Sequence, residues 1–301
     1  MVVVGAASRD IDPRDPRGWR LGGGVSYGAM AVARLGVRVG ALVGVDEQAA
    51  EATEIDALRN AGVEVRLVRL TRAPVFENRE TSEGRTQVAH SASDPLRADV
   101  VPPEWRAAPC FVLSPVAGEL AAEWATALPA TALVALGWQG LYRRIVAGAD
   151  VAALPLARLS LADRADLAVV SADDARAGGA QLASLLRQGQ QLVVTDGAHG
   201  ALHLERVVSG VRARYLPALP VARVADPTGA GDALLAIWAA IVAVTRLRGI
   251  TVEPWRALAL AVAAASATVE RVGIEQTATL RELCAKLRVA SPPPSGSSRR
   301  L

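Results

Sequence analysis

The sequence predicts an α/β fold: a three-layer sandwich built on a mainly parallel sheet, with a small β lid. Three observations carry that expectation. Short β-branched runs alternate along the chain with longer stretches of helical periodicity, the pattern of strand–helix–strand units whose strands run parallel. Glycines such as Gly36 and Gly62 stand where helical stretches end, and a residue without a β-carbon is what a helix C-terminus uses to turn. Residues 63–91 break the rhythm by placing polar residues at alternate positions, which reads as an antiparallel ribbon outside the main sheet.

In chain order, "MVVVG" opens as a strand, "YGAMAVARLG" follows as a helix, "VRVGALVGV" as a strand and "DEQAAEATEIDALRNAG" as a helix. The ribbon comprises "VEVRLVRL", "PVFENRE" and "TQVAHS", with "SEG" as a turn. Alternation then resumes: "FVLSP" at 111–115, a helix near 118–128, "TALVALG" at 131–137, "LAVVS" at 167–171, a helix near 172–188 and "QLVVTDG" at 191–197. From 254 onward the pattern is helical. Residues 1–290 are expected to form one domain, with the lid strands within about 63–91, and the Pro- and Ser-rich residues 291–301 to be a disordered tail. In sheets of this kind ligands sit beyond the carboxyl ends of the strands.

The 301 residues, 51% hydrophobic and 21% charged, can bury a sizeable core. Lys and Arg total 33 against 30 Asp and Glu, so the pI near 9.3 reflects a small excess rather than a basic patch. That balance argues against a nucleic-acid partner. Lys286 is the only lysine, which excludes a GxxxxGK[ST] phosphate loop. Cys110 and Cys284 belong to no CxxC pair and read as reduced thiols, so a cytoplasmic location is expected. The N-terminus turns polar too early for a signal peptide, and the apolar run 233–245 is better read as a buried helix than a membrane span.

The stretch "DPTGAGDALLAIWAA" at 226–240 carries the chemistry. Its small residues let backbone N–H groups face a ligand, and the helix expected to begin at about Gly231 or Asp232 adds the positive end of its dipole. That combination suits phosphate oxygens. Asp232, a carboxylate beside an anion pocket, is either a helix cap or a base that takes a proton from an attacking hydroxyl.

Asp226, Thr228, Gly229, Ala230, Gly231 and Asp232 resemble the DTxGAGD signature of the ribokinase-like (PfkB) carbohydrate kinase family, with Pro227 between the matching residues. "GGGVSYGAMAVARLGVRVGALVGVD" is similar to the family's early signature, and the resemblance extends from Val2 to about Gly273. It implies transfer of the γ-phosphate of ATP, with Mg²⁺ bridging the phosphates, to a hydroxyl of a sugar or similar small molecule. Asp232 would be the general base, the N–H groups of Gly229, Ala230 and Gly231 would stabilise the developing charge, and Thr228 would lie on the nucleotide side. Gly22 and Gly23 would sit under the substrate and Asp10 would bond its hydroxyls, unless Asp10 is only a turn residue before "DPRDP".

Tyr27 stands where relatives commonly carry Asn, and it would either stack on a base or fill space. From the lid, Glu77, Asn78 and Arg79 offer polar groups, with Asn78 the substrate-facing candidate. Ser171 and Asp174 occupy the positions of the family's Asn-x-x-Glu, which implies an outer-sphere magnesium role for Asp174 alongside helix capping by Ser171. Thr195, Gly197 and Gly200 match the Thr-x-Gly-x-x-Gly segment near the nucleotide phosphates, while Asp196 departs from it.

A dinucleotide-binding Rossmann enzyme fails on spacing, because Tyr27 and Leu234 stand where third glycines are required. A non-catalytic relative that binds a ligand or partner is the remaining alternative, favoured by the departures at Tyr27, Ser171 and Asp196 and opposed by the complete Gly-Ala-Gly-Asp. The acceptor is left open among sugars, polyols such as inositol, and nucleosides. The exposed ribbon is a candidate edge for a homodimer.

Overall fold

The computed structural model describes residues 1–81, 84–177 and 182–290. The tail expected at 291–301, most of the turn "SEG" and residues 178–181 of the helix expected near 172–188 lie outside the described residues. Among those described, a nine-stranded sheet runs in the order Gly210–Leu216, Ala201–Val207, Gln191–Thr195, Leu167–Ser171, Leu133–Gly137, Cys110–Leu113, Val2–Ala6, Gly40–Val45, Glu64–Arg69. Its seven strands from Gln191–Thr195 to Glu64–Arg69 pair in parallel, and the two at the other edge are antiparallel.

Strand side chains alternate faces, so one strand feeds two cores. Val3, Ala41 and Val43 join a core with helices Gly24–Arg34, Ala230–Leu247 and Leu258–Thr268, whereas Val2, Val4 and Leu42 join a second core containing Trp124, Trp138 and Leu161. Those two apolar layers and the sheet between them are the expected three-layer sandwich. Ala230–Leu247 is long and apolar enough to cross a membrane by composition, yet ten of its residues are buried inside the protein, as a core helix requires.

The lid is a separate five-stranded sheet in the order Ala149–Asp150, Gly84–Ser91, Val75–Thr81, Arg9–Ile11, Trp19–Leu21. Two differences from expectation follow. "VEVRLVRL" is not a lid strand: Glu64–Arg69 pairs in parallel with Gly40–Val45 and closes the main sheet. As an edge strand with Val65 and Leu67 on the core and charges toward solvent, it has the same alternation as a ribbon strand. The lid also recruits Arg9–Ile11 and Trp19–Leu21, so Asp10 lies in a lid strand rather than in a turn before "DPRDP", and the first strand stops at Ala6.

Ion pairs fasten the lid to the body. Arg17 bonds Glu54 at 2.7 Å, Arg9 bonds Asp46 at 2.9 Å, and Arg20 reaches both Asp12 (2.7 Å) and Asp226 (3.5 Å). The lid's outer strands are only two and three residues long, which limits the unpaired backbone offered at either edge.

The helix expected near 118–128 contracts to Trp124–Ala127. The buried Glu119 carboxylate accepts the N–H groups of Ala6, Val116 and Ala117, and this holds the preceding residues in a turn at the carboxyl ends of two central strands.

Candidate active site

Asp232 sits in the first turn of Ala230–Leu247, beyond the carboxyl ends of the strands. The helix is capped by Gly229 in the left-handed region, φ 78°, a conformation that costs a residue with a β-carbon but not glycine. A β-carbon there would also run into the Tyr27 ring, so the loop backbone packs directly against that ring. Asp226 shapes the turn before it by accepting the Thr228 N–H at 2.9 Å. Around Gly231, by contrast, no other part of the protein lies within 4 Å of where a β-carbon would stand. The opening lies at a helix start, the end of a helix whose dipole and N–H groups favour an anion.

The Asp232 carboxylate rests against Gly24, whose β-carbon, had it one, would collide with Oδ1, and Ser114 borders the same spot. Burial pushes the Asp232 carboxyl up to about 6, with the Arg143 charge acting in the opposite direction. The group is therefore mostly ionised at neutral pH but close enough to 7 to accept a proton, the property wanted of a base. The Ser114 hydroxyl is buried without a partner. Tyr27 is only 5% exposed beneath the Gly229 turn, and burial together with the Asp10, Asp226 and Asp232 carboxylates raises its phenol. The structure thus uses Tyr27 as the floor of the phosphate loop.

On the acceptor side, Asp10 accepts the Ser8 hydroxyl at 2.8 Å and lies directly over Gly22, leaving no room for a side chain there. Gly23, φ 89°, lets the chain pass against Ala6 and Ala7 into the helix Gly24–Arg34. Gly22, Gly23, Gly24, Asp10 and Asp232 are thereby brought into one wall. Asn78 faces the same side of the lid as Gln87, which donates to its Oδ1 at 3.0 Å. Glu77 and Arg79 point the other way, pairing with each other at 2.8 Å, and His90 joins Glu77 at 2.9 Å.

Gln87 in turn accepts from Nη1 of Arg143 at 3.2 Å. Arg143 Nε and Nη2 donate to Asp174 at 3.0–3.1 Å, and the Ser171 hydroxyl donates to the same carboxylate at 2.7 Å while capping the helix through the Asp174 N–H. Both Asp174 oxygens are therefore engaged. Among the described residues no cluster of three His, Cys, Asp or Glu side chains is placed to hold a metal. Asp174 is the anchor of Arg143 in this structure; an outer-sphere contact with a magnesium ion carried by donor phosphates would need no such cluster.

Thr195 pairs in register with Ser171 at the neighbouring strand end. Beyond it, Gly197 (φ 53°) and Gly200 (φ 87°) shape a tight turn closed by the Asp196 N–H donating to Gly200 O at 2.8 Å. Asp196 is half-exposed near Arg176 and His199, at 3.9 and 3.6 Å, so its charge is balanced outside the phosphate cradle. Arg143, Gln87, Ser114 and Arg20 are site residues that sequence reasoning missed. Nothing in their local sequence separates them from the many other polar and charged residues; only the packing of distant segments selects them.

Residues 113–279 match the pfkB family of carbohydrate kinases, while no curated protein sequence matches the chain. Among solved structures the fold is similar to a pyrophosphate-dependent kinase of the ribokinase family complexed with a pyrophosphate analog and myo-inositol (TM-score 0.67, 18% identity, covering 97% of this chain and 100% of that one). It is also similar to a nucleoside kinase from Methanocaldococcus jannaschii (0.70, 15%, 96% and 98%) and to Arabidopsis thaliana ribokinase complexed with ribose and ATP (0.67, 19%, 95% and 98%). At these identities the structures establish the fold alone. A family match spanning more than half of the chain and including the phosphate cradle and Asp232 settles the rest: the protein belongs to the PfkB family of carbohydrate kinases, which phosphorylate a hydroxyl of a small molecule.

Proposed function

We propose that the protein transfers the γ-phosphate of ATP to a hydroxyl of an uncharged sugar or polyol, with Asp232 as general base. The observation that carries this reading is the pairing of an open helix-start cradle at Gly231 with a buried carboxylate, one residue later, poised near 6. The cradle's N–H groups stabilise charge on the phosphoryl oxygens, and Asp232 takes the proton as the hydroxyl attacks. The lid face bearing Asn78 and Gln87 covers the acceptor and keeps competing water out. Mg²⁺, when bound to the donor phosphates, neutralises part of their charge.

An uncharged acceptor is favoured by the wall it meets. Asp10 and Asp232 are acidic, and Arg143 is already neutralised by Asp174. Pyrophosphate, the donor named for one structural neighbour, is the alternative to ATP that the assay must include. The free thiols of Cys110 and Cys284 support action in the reducing cytoplasm.

The test is acceptor-dependent product formation from ATP and from pyrophosphate, across sugars, inositols, nucleosides and sugar phosphates, with Asp232→Asn alongside. Turnover of a neutral polyol with ATP that the variant abolishes bears the proposal out. Preference for sugar phosphates, or full activity in the variant, overturns it.

A further inference from the structure

We infer that Arg20 is a positioning residue for the donor site: its guanidinium reaches from the lid to the phosphate turn, pairing with Asp12 on one side and Asp226 on the other, and so sets how the turn meets the donor. This rests on the reading of the cradle at Gly229, Ala230 and Gly231 as the donor site. Arg20 Nε lies 2.7 Å from Asp12 Oδ2, an ion contact outside aligned hydrogen-bond geometry, and Nη2 lies 3.5 Å from Asp226 Oδ2. The other oxygen of Asp226 accepts the Thr228 N–H at 2.9 Å. One carboxylate therefore stands between the guanidinium and the backbone of the turn. The side chains of Arg20, Asp12 and Asp226 are only 22%, 8% and 14% exposed, so solvent screens the cluster weakly.

The parts come from distant segments. Arg20 stands on the lid strand Trp19–Leu21, directly opposite Asp10 on Arg9–Ile11, and residues paired in this way share a face of the sheet. It therefore lies between the acceptor wall and the donor turn. The turn has two other supports: the N–H groups of Ala225 and Asp226 donate to Val269 O at 2.7 and 3.2 Å, and the Tyr27 ring packs beneath Gly229. Both act on backbone and leave the Asp226 carboxylate to the Thr228 N–H and Arg20. Among the described residues Arg20 is the cation paired with Asp226, whereas Asp12 also has Arg14, at 2.9 Å. Loss of Arg20 is therefore felt most at the turn.

The chemistry follows from the charges. A phosphoryl donor is an anion, and Asp226 places a carboxylate in the turn that leads into its cradle. A guanidinium is charged at every working pH, so with Arg20 in place that carboxylate is neutralised when the donor arrives. Without it, a largely buried carboxylate is left uncompensated and repels the donor phosphates across a short distance. The planar fork also meets Asp12 and Asp226 through different nitrogens, which the single ammonium of a lysine does less well. An arginine that merely fastened the lid would support the fold without acting on the donor through Asp226, and the two roles separate by experiment.

The experiment is calorimetric titration of the whole protein with Mg·ATP and with magnesium pyrophosphate, on wild type, Arg20→Gln, Arg20→Lys, Asp226→Asn and the double variant Arg20→Gln/Asp226→Asn. Amide hydrogen exchange across 226–231 is followed in parallel without ligand. Arg20→Gln is expected to weaken donor binding by about tenfold, the size of effect one nearby charge exerts, and Arg20→Lys to restore part of it. In the Asp226→Asn background the repelling charge is gone while the amide oxygen can still accept the Thr228 N–H, so the same substitution should cost about threefold or less. Exchange across 226–231 should quicken in Arg20→Gln. Unchanged donor affinity in Arg20→Gln overturns the inference, and an equal loss in both backgrounds does so too, marking Arg20 as a lid anchor only. If Arg20→Gln does not fold, Arg20→Lys in the two backgrounds decides by the same rule. If the wild type binds neither donor, the proposed function fails on its own account, and the exchange data decide: faster exchange bears out the hold on the turn, and unchanged exchange overturns it.

Discussion

The two sides of the site are built from different materials. The donor side is backbone: a left-handed Gly229 lying on a buried Tyr27 ring, an open Gly231, and the first N–H groups of an eighteen-residue core helix. The acceptor side is side chains: Asp10, Asn78, Gln87 and Arg143, drawn from four separate strands and held by hydrogen bonds and ion pairs. A backbone cradle reads the feature every phosphoryl donor shares, and it tolerates little change because packing fixes each atom. A side-chain wall can be re-cut residue by residue without disturbing the core. The difference teaches where specificity resides, and substitutions on each side should fail in different ways.

The largest effect is expected where the two sides meet. Asp232→Asn should lower kcat by about 10²- to 10⁴-fold, the range for a positioned base, while far-ultraviolet circular dichroism stays unchanged. Its stability should move the other way. The folded carboxyl near 6 lies above its unfolded value of 3.8, so the folded state keeps its proton longer. The group therefore costs stability as pH rises between those values, and the full cost persists above 6. Asp232→Asn should accordingly be more stable than wild type by up to about 2–3 kcal/mol at pH 8, with the gain fading below pH 4; urea titrations at both pH values check it.

Gly24→Ala places a methyl group on Asp232 Oδ1 and should displace the base, costing on the order of 10- to 100-fold in kcat. Gly231→Val sharpens the comparison on the donor side. The new side chain meets open space, so the melting temperature should hold near wild type. Donor affinity, measured by calorimetry, should drop about tenfold or more, or ~1.4 kcal/mol. A strong loss of stability would mean that the opening is not a ligand space.

On the acceptor side, Asn78→Ala should raise the acceptor KM by about 3- to 10-fold, the worth of one hydrogen bond, and leave the donor KM unchanged. The smallest effect is in wild type itself: kcat/KM should rise with pH and level off above about 6, as Asp232 ionises. A flat profile from pH 5 to 8 would break the link between that carboxyl and the chemistry.

The sequence by itself determined the layered α/β architecture, the buried helix after "DPTGAGD" and the glycines of the cradle, because these depend on local periodicity and on residues whose backbone freedom is intrinsic. Gly229 can adopt φ 78° without a steric penalty, and an apolar run such as Ala233–Ala243 has no stable place but a core. It also placed Asp232, since the carboxylate follows the cradle in the chain. What only the tertiary structure decided lies in long-range contacts. Glu64–Arg69 joined the main sheet because Gly40–Val45 offered it an edge, and its alternation fits an edge strand as well as a lid strand. Arg9–Ile11 and Trp19–Leu21 became lid strands only by pairing with each other and with Val75–Thr81. Tyr27 became the floor of the loop, and Asp174 became the partner of Arg143, thirty-one residues away. Charge neutralisation between such distant residues leaves no periodicity in the sequence, for its energy depends on separation in space and on burial rather than on position along the chain.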